Sequence, residues 1–169
     1  MKKFKLTSEF IVDISGVKLF RIKALIEFGN VKAGDLGGYI EKEKNLSHMG
    51  NAWVSGNAQV FGNARVFGNA RVSGNARVSG DAQVFGTAQV FGDARVSGDK
   101  DYAYAHGFGS CNRTTTFFRL KDGDVGVRCG CFYGTLAQFR DNVCETHGET
   151  KKAQEYLMLA DLMDFRFKN

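Results

Sequence analysis

The stretch GNARVFGNARVSGNARVSGDAQVFG, residues 62–86, repeats one six-residue unit: glycine, a small polar residue, alanine, a long polar residue, valine, then serine or phenylalanine. Eight consecutive hexads of this kind run from Gly50 to Ser97. Alanine and valine alternate with polar residues, which is the period of a strand with one buried face. A helix is excluded, because a glycine at every sixth position would cost about 1 kcal/mol each relative to alanine. The pattern predicts very short strands separated by regular turns, in a chain that coils on itself.

Glycine followed by asparagine, aspartate or threonine marks each turn, since these residue types tolerate the backbone angles of a corner. The repeat resembles the hexapeptide-repeat family, whose fold is a left-handed parallel β-helix with three hexads in each triangular coil. The likeness is strong over residues 50–97 and extends more loosely over 38–103. It implies a short prism with capped ends. We therefore expect a mainly β protein built around a left-handed parallel β-helix, or β-solenoid.

Three units follow from this interpretation. The N-terminal unit is expected to be a β-hairpin that turns at Ser15-Gly16, and the C-terminal unit a ββαα module. In that module Thr135 is a good N-cap for a first helix, and Gly148 closes it. The predicted boundaries are 1–37 for the N-terminal β cap, 38–109 for the solenoid and 110–169 for the C-terminal module.

Arginines at outward positions of the repeat, and two that follow it, are the candidate ligands of an anion. The two later ones flank a run of threonines, whose hydroxyls suit an anion. The candidate binding residues are Arg65, Arg71, Arg77, Arg95, Arg113 and Arg119. Nucleic-acid binding is an alternative, because it uses basic stripes with aromatic side chains, but Asp81 and Asp93 offset the charge of these arginines. The net charge of +5 is compatible with an anionic partner and does not require one.

Phenylalanine occupies the last position of four hexads, at Phe61, Phe67, Phe85 and Phe91. These side chains either cover corners and flanking modules or form a surface for a partner, because contiguous exposed apolar surface is uncommon on monomers. Many hexapeptide-repeat proteins trimerise along the prism. The resemblance therefore implies a homo-oligomer, a trimer or a multiple of one, with the four phenylalanines as its candidate surface.

An enzyme of the hexapeptide acyltransferase type is the main alternative to a binding protein. In that class a histidine beside a coil acts as general base. The chain has three histidines, His48, His106 and His147, and none lies inside the eight regular hexads. The repeats also lack the inserted loop that often completes a transferase site. We therefore predict no catalytic residue and no cofactor.

The four cysteines lie in the last third of the chain, at Cys111, Cys129, Cys131 and Cys144. Zinc sites favour two to four residues between paired ligands, whereas Cys129 and Cys131 are separated by one. We expect reduced thiols and no metal. The chain also lacks an apolar run of 18 residues and a signal-peptide pattern at its start, so we predict a cytoplasmic protein without a membrane span.

The segment GGYIEKEKNLSHMGNAWV, residues 37–54, leads into the repeat and resembles a group of bacterial and phage hexapeptide-repeat proteins. That likeness implies a phage or mobile-element origin. From it follows the hypothesis of a non-enzymatic binding or scaffold protein. Such a protein would bind a host protein, or sequester an anionic ligand such as a host signalling nucleotide, in an anti-defence role.

Overall fold

The computed structural model describes residues 1–109 and 111–168. Three strands precede the repeat: β1 (Phe4–Val12), β2 (Lys18–Ala24) and β3 (Leu36–Ile40). Each hexad contributes one two-residue strand: β4 (Trp53–Val54), β5 (Gln59–Val60), β6 (Arg65–Val66), β7 (Arg71–Val72), β8 (Arg77–Val78), β9 (Gln83–Val84), β10 (Gln89–Val90) and β11 (Arg95–Val96). The remaining elements are β12 (Tyr102–Phe108), β13 (Arg113–Arg119), β14 (Val125–Cys129), β15 (Phe132–Thr135), α1 (Leu136–His147) and α2 (Lys151–Phe167).

The repeat strands stack in parallel, each on the strand one coil further along the chain. Equivalent residues of adjacent coils, such as Asn57 and Asn75, are 18 positions apart. The resulting sheets are β3-β5-β8-β11, β4-β7-β10 and β6-β9, and the antiparallel strands β1 and β2 extend the first of them. The predicted β-solenoid is thereby confirmed. Its left-handed sense stays a prediction.

The core of the solenoid consists of the alanine and the valine of every hexad, all of them buried. Because only these small and medium side chains point inward, the sheets close tightly on one another. Larger apolar residues continue this core at its ends. They are Phe4, Ile22 and Leu46 at the first coil, and Tyr102 and Phe118 at the last.

Backbone hydrogen bonds join adjacent coils, as where Trp53 N donates to the Ala70 oxygen and Ser55 N to the Val72 oxygen, and side chains bond backbone groups at the two ends of the solenoid. At the first coil, side-chain donors bond backbone carbonyls. Lys3 Nζ donates to the Ala52 oxygen at 2.7 Å, and Asn45 Nδ2 donates to the Ala64 oxygen at 2.9 Å.

At the last coil, side-chain oxygens accept from backbone N–H groups, and the Tyr102 hydroxyl donates to the Gln83 oxygen. Asp99 Oδ1 accepts from Gln83 N at 2.8 Å, and Asp101 Oδ2 accepts from Ser97 N at 2.9 Å. Burial opposes the ionisation of Asp101, but the hydrogen bonds from Ser97 and the neighbouring Arg119 hold its pKa below the usual value. Strand edges that would otherwise accept further chains are closed in this way.

The C-terminal module is an antiparallel sheet of β12, β13, β14 and β15 packed against the two helices. Tyr102–Phe108, which the sequence prediction includes in the solenoid, forms β12 and pairs with β13. Ser110, where the module is predicted to begin, lies outside the described residues. The two helices are confirmed, and each starts at a threonine cap: Thr135 accepts from Gln138 N and Thr150 from Ala153 N. Within the described residues, neither helix is long and apolar enough to cross a lipid bilayer.

Candidate functional site

The six arginines predicted to bind an anion do not form one group. Arg77 pairs with Asp13 at 3.2 Å, across the space between β8 and the β1–β2 turn. Arg119 pairs with the buried Asp101 at 3.4 Å. Both guanidinium groups are therefore already neutralised by a carboxylate of the same chain.

Three other members of the predicted set also lie apart from one another. Arg95 Nη1 donates to the backbone oxygens of Asn75 and Ala94, at 3.1 and 2.9 Å. These bonds tie the Arg95 side chain to the backbone of the solenoid. Arg65 and Arg113 are exposed residues of β6 and β13. These arginines do not share a site.

Arg71 lines a cleft where the repeat meets its flanks. It lies on β7, between Trp53 of β4 and Gln89 of β10 in the same column. Its Nη2 donates to Asn30 Oδ1, which belongs to the loop between β2 and β3. Burial lowers the pKa of Arg71, yet a guanidinium stays charged at neutral pH. The fold therefore holds this charge partly away from water.

A second arginine, Arg128 of β14, reaches the same cleft from the C-terminal sheet. Its guanidinium carbon lies 4.7 Å from the centre of the Phe91 ring, which is a cation–π contact. In residues 1–109 and 111–168, neither Arg71 nor Arg128 forms an ion pair with a carboxylate. Arg128 was not among the arginines predicted from the sequence to bind an anion.

The cleft between these two arginines has a volume of about 410 Å³ and lies where three segments of the chain meet. Its lining residues are Asn30, Ser55, Arg71, Ser73, Gln89, Phe91 and Arg128. None of these seven described residues is an aspartate, glutamate, histidine or cysteine. The volume falls within the range of small-molecule sites, and we call this site the arginine cleft.

A third positive charge lies close to the arginine cleft. The Lys3 ammonium donates to the backbone oxygens of Gly50 and Ala52, and it lies 4.7 Å from the centre of the Phe28 ring. Burial, and then repulsion from Arg71, lower the pKa of Lys3 to about 8. Because Lys3 and Arg71 repel each other, an anion next to Arg71 would relieve part of that repulsion.

The groups in the arginine cleft suit an oxyanion. A guanidinium is a planar fork that matches phosphate or carboxylate oxygens with two parallel hydrogen bonds. The hydroxyls of Ser55 and Ser73 and the amide of Gln89 add neutral hydrogen-bond donors. The arrangement can bind an oxyanion through charged and neutral donors.

A second and larger cleft, of about 980 Å³, lies at the N-terminal end of the β6-β9 sheet. It contains Lys42, Lys44 and Arg65, but also Glu43, which pairs with Lys2 at 2.9 Å. Charges of both signs make this cleft a less selective site for an anion than the arginine cleft.

The four phenylalanines of the predicted partner surface fall into three different columns. Phe67 and Phe85 stack with their ring centres 5.3 Å apart, and the edge of Phe85 meets Tyr104. Phe61 lies under the guanidinium of Arg77. These contacts separate Phe61 from the Phe67–Phe85 pair.

Phe91 lines the arginine cleft. Its ring packs edge-on against the ring of Tyr133 of β15, with the two ring centres 4.9 Å apart. Phe85, at 40% exposure, is the most exposed of the four. A partner surface at the stacked Phe67–Phe85 pair stays a prediction.

His48 lies between β3 and β4, His106 on β12 and His147 at the end of α1, and none of them lines the arginine cleft. His48 Nδ1 accepts from Lys3 N at 3.1 Å, and its ring stacks on Phe4. His106 is an exposed residue of β12, and His147 ends α1 against Tyr156. His147 is a packed side chain, whereas His48 also lines the larger cleft described above.

The four cysteines are free thiols. The Cys129 sulfur accepts from Thr115 Oγ1 at 3.2 Å. Over the described residues, no three histidine, cysteine, aspartate or glutamate side chains are grouped so as to hold a metal ion.

Comparison with known families gives a match over the repeat. The profile described as YdcK Beta solenoid repeat matches residues 58–72, 70–86 and 88–99. No curated protein matches the chain. The match and the stacked coils together identify a β-solenoid repeat protein. Asn30, Ser55 and Arg128 of the arginine cleft lie outside the matched segments, so the site combines the repeat with both flanking modules.

Proposed function

We propose that this protein is a non-enzymatic binding protein that holds a small anionic ligand in the arginine cleft. The observation that carries the proposal is the pair of guanidinium groups, Arg71 and Arg128, that share one cleft and have no carboxylate partner in the described chain. Two positive charges that line one cleft both attract an anion placed between them. A phosphate or carboxylate group matches the hydrogen-bond geometry of a guanidinium most directly.

The solenoid acts as a rigid frame for this site. Five of the lining residues project from stacked coils whose inward residues are fully packed. The spacing of these five residues is therefore fixed before a ligand arrives. They are Ser55, Arg71, Ser73, Gln89 and Phe91. Fixed donors lose little conformational entropy on binding. The other two lining residues come from the flanks, and a bound ligand would therefore connect all three parts of the chain.

The proposed ligand comes from a host cell. The resemblance of residues 37–54 to phage-type repeat proteins supports this origin, and the protein would meet the ligand in the host cytoplasm. A nucleotide is one such ligand, because its phosphates suit the two arginines and its size suits a cleft of about 410 Å³. Sequestration of that ligand would then be the biological role.

Native mass spectrometry of gently purified protein tests this proposal. We expect an extra mass in the range of a small anion, retained on the wild type and on Arg65→Gln, and lost from Arg71→Gln and Arg128→Gln. Arg65→Gln is the matched control, since it removes the same charge from the larger cleft. A protein without extra mass, or an extra mass that survives Arg71→Gln, contradicts the proposal.

A further inference from the structure

The outer face of α2 carries an apolar stripe that no other described part of the chain covers. Met158, Leu162 and Phe165 follow one another at intervals of about one helical turn, and they are 71%, 56% and 80% exposed. The opposite face of α2 is buried against the C-terminal sheet and α1. Ordinary amphipathic packing accounts for the buried face and leaves the stripe unexplained.

Two charged residues flank the stripe on one side. Glu155 lies near its start and Arg166 near its end. They are eleven residues apart, about three helical turns, so they project in similar directions and are separated by about 16 Å along the axis. Neither forms an ion pair among the described residues. Each contacts a backbone group instead, at Gly109 N and the Asp99 oxygen.

We infer that this face of α2 binds the same face of a second copy of the chain, with the two helices antiparallel across a two-fold axis near Leu162. In this arrangement Met158 of each copy packs near Phe165 of the other, and Glu155 of each copy meets Arg166 of the other. In a parallel pair related by a two-fold axis along the helices, Glu155 of the two copies would lie on opposite sides of the interface, and neither would reach Arg166. The two Glu155–Arg166 pairs therefore favour the antiparallel dimer, which is self-complementary as an isologous interface must be.

The area involved sets the strength of this dimer. One helix face of this length, with its charged rim, buries roughly 400–500 Å² per copy, which is less than the about 800 Å² per partner of a standard stable interface. We therefore expect a dissociation constant in the micromolar range. This inference is independent of the arginine cleft, since none of its residues lines that cleft.

Sedimentation equilibrium from about 1 to 300 µM tests the inference. The wild type is expected to pass from monomer to dimer over this range, and Leu162→Asp to raise the dissociation constant at least about tenfold. Ile14→Asp is the control: Ile14 is 96% exposed at the turn between β1 and β2, so dimerisation is expected to stay unchanged. Circular dichroism shows whether each variant keeps the fold.

A charge exchange separates this dimer from general stickiness of the stripe. Glu155→Arg and Arg166→Glu each bring like charges together and are expected to weaken the dimer by about tenfold, which corresponds to 1.4 kcal/mol. The double variant restores opposite charges and is expected to return to within about threefold of the wild type. A wild type that stays monomeric, a dimer insensitive to Leu162→Asp, or a double variant without recovery overturns the inference.

Discussion

At the scale of single residues, the glycine that opens each hexad is fixed by its backbone conformation. Gly74 has a φ of +71°, and a Cβ there would lie 2.8 Å from the nitrogen of Gly92 in the next coil. We predict that Gly74→Ala lowers the free energy of unfolding by about 2 kcal/mol or more, because the left-handed conformation alone costs 1–2 kcal/mol. Urea denaturation of the wild type and of the variant measures this difference in the free energy of unfolding.

Gly98 provides the matched control for this prediction. Its φ is −162°, an extended value that any residue adopts, and a Cβ there would meet nothing within 4 Å. Gly98→Ala is expected to change stability by less than about 0.5 kcal/mol. Equal losses from the two substitutions would show that the repeat glycines are not required for their conformation.

Lys3 predicts a specific dependence of stability on pH. Its pKa falls from 10.5 to about 8 in the folded chain. Below pH 8 both the folded and the unfolded chain carry the proton, and the folded state bears the cost of the buried charge. As pH rises from 8 towards 10.5, the folded chain loses this proton first, so Lys3 contributes increasing stability, up to about 3 kcal/mol.

The measurement is the difference in the free energy of unfolding between the wild type and Lys3→Met at pH 7.5 and 9.5. The difference should shift in favour of the wild type at the higher pH. Subtracting the variant removes the contribution of tyrosines, which also titrate in this range. A difference that stays constant would mean that the Lys3 pKa is not lowered.

At the scale of elements, the ends of the solenoid depend on side chains that make the backbone hydrogen bonds an adjacent coil would otherwise make. Asn45 is buried and donates to the oxygens of Gly62 and Ala64. Asn45→Leu leaves both carbonyls without a donor, and we expect a loss of about 1–3 kcal/mol. Asn63→Leu is the control, because Asn63 is exposed at a corner. Thermal unfolding of both variants checks the prediction, and equal midpoints would contradict it.

The elements were predicted from the sequence to the extent that local patterns determine them. The hexads fix which residues point inward, and threonine caps fix where both helices begin. The sequence did not reveal β12, because the Tyr-Ala alternation of residues 102–105 continues the period of the hexads. Its pairing with β13 depends on contacts distant in sequence. No local signal encodes such contacts.

At the scale of the whole molecule, one of the two arginines of the arginine cleft was predicted from the sequence. Arg71 was predicted as an anion ligand because it is an outward residue of the repeat. The alternation in VGVRC, residues 125–129, places Arg128 on the opposite face of its strand from Val127. What the sequence could not supply is how the C-terminal sheet packs on the solenoid, and that packing brings Arg128 to Phe91. The four phenylalanines show the same effect, since the flanks decide which of them are covered.

The most direct measurement is a calorimetric titration of the protein with inorganic pyrophosphate at low ionic strength. We predict one site per chain, with affinity reduced about tenfold or more in Arg71→Gln and in Arg128→Gln, because a charge-assisted hydrogen bond contributes about 1.5–3 kcal/mol. Arg65→Gln should bind like the wild type. A wild type that does not bind, or arginine-cleft variants that bind as well as Arg65→Gln, would contradict the assignment of the cleft as an anion site.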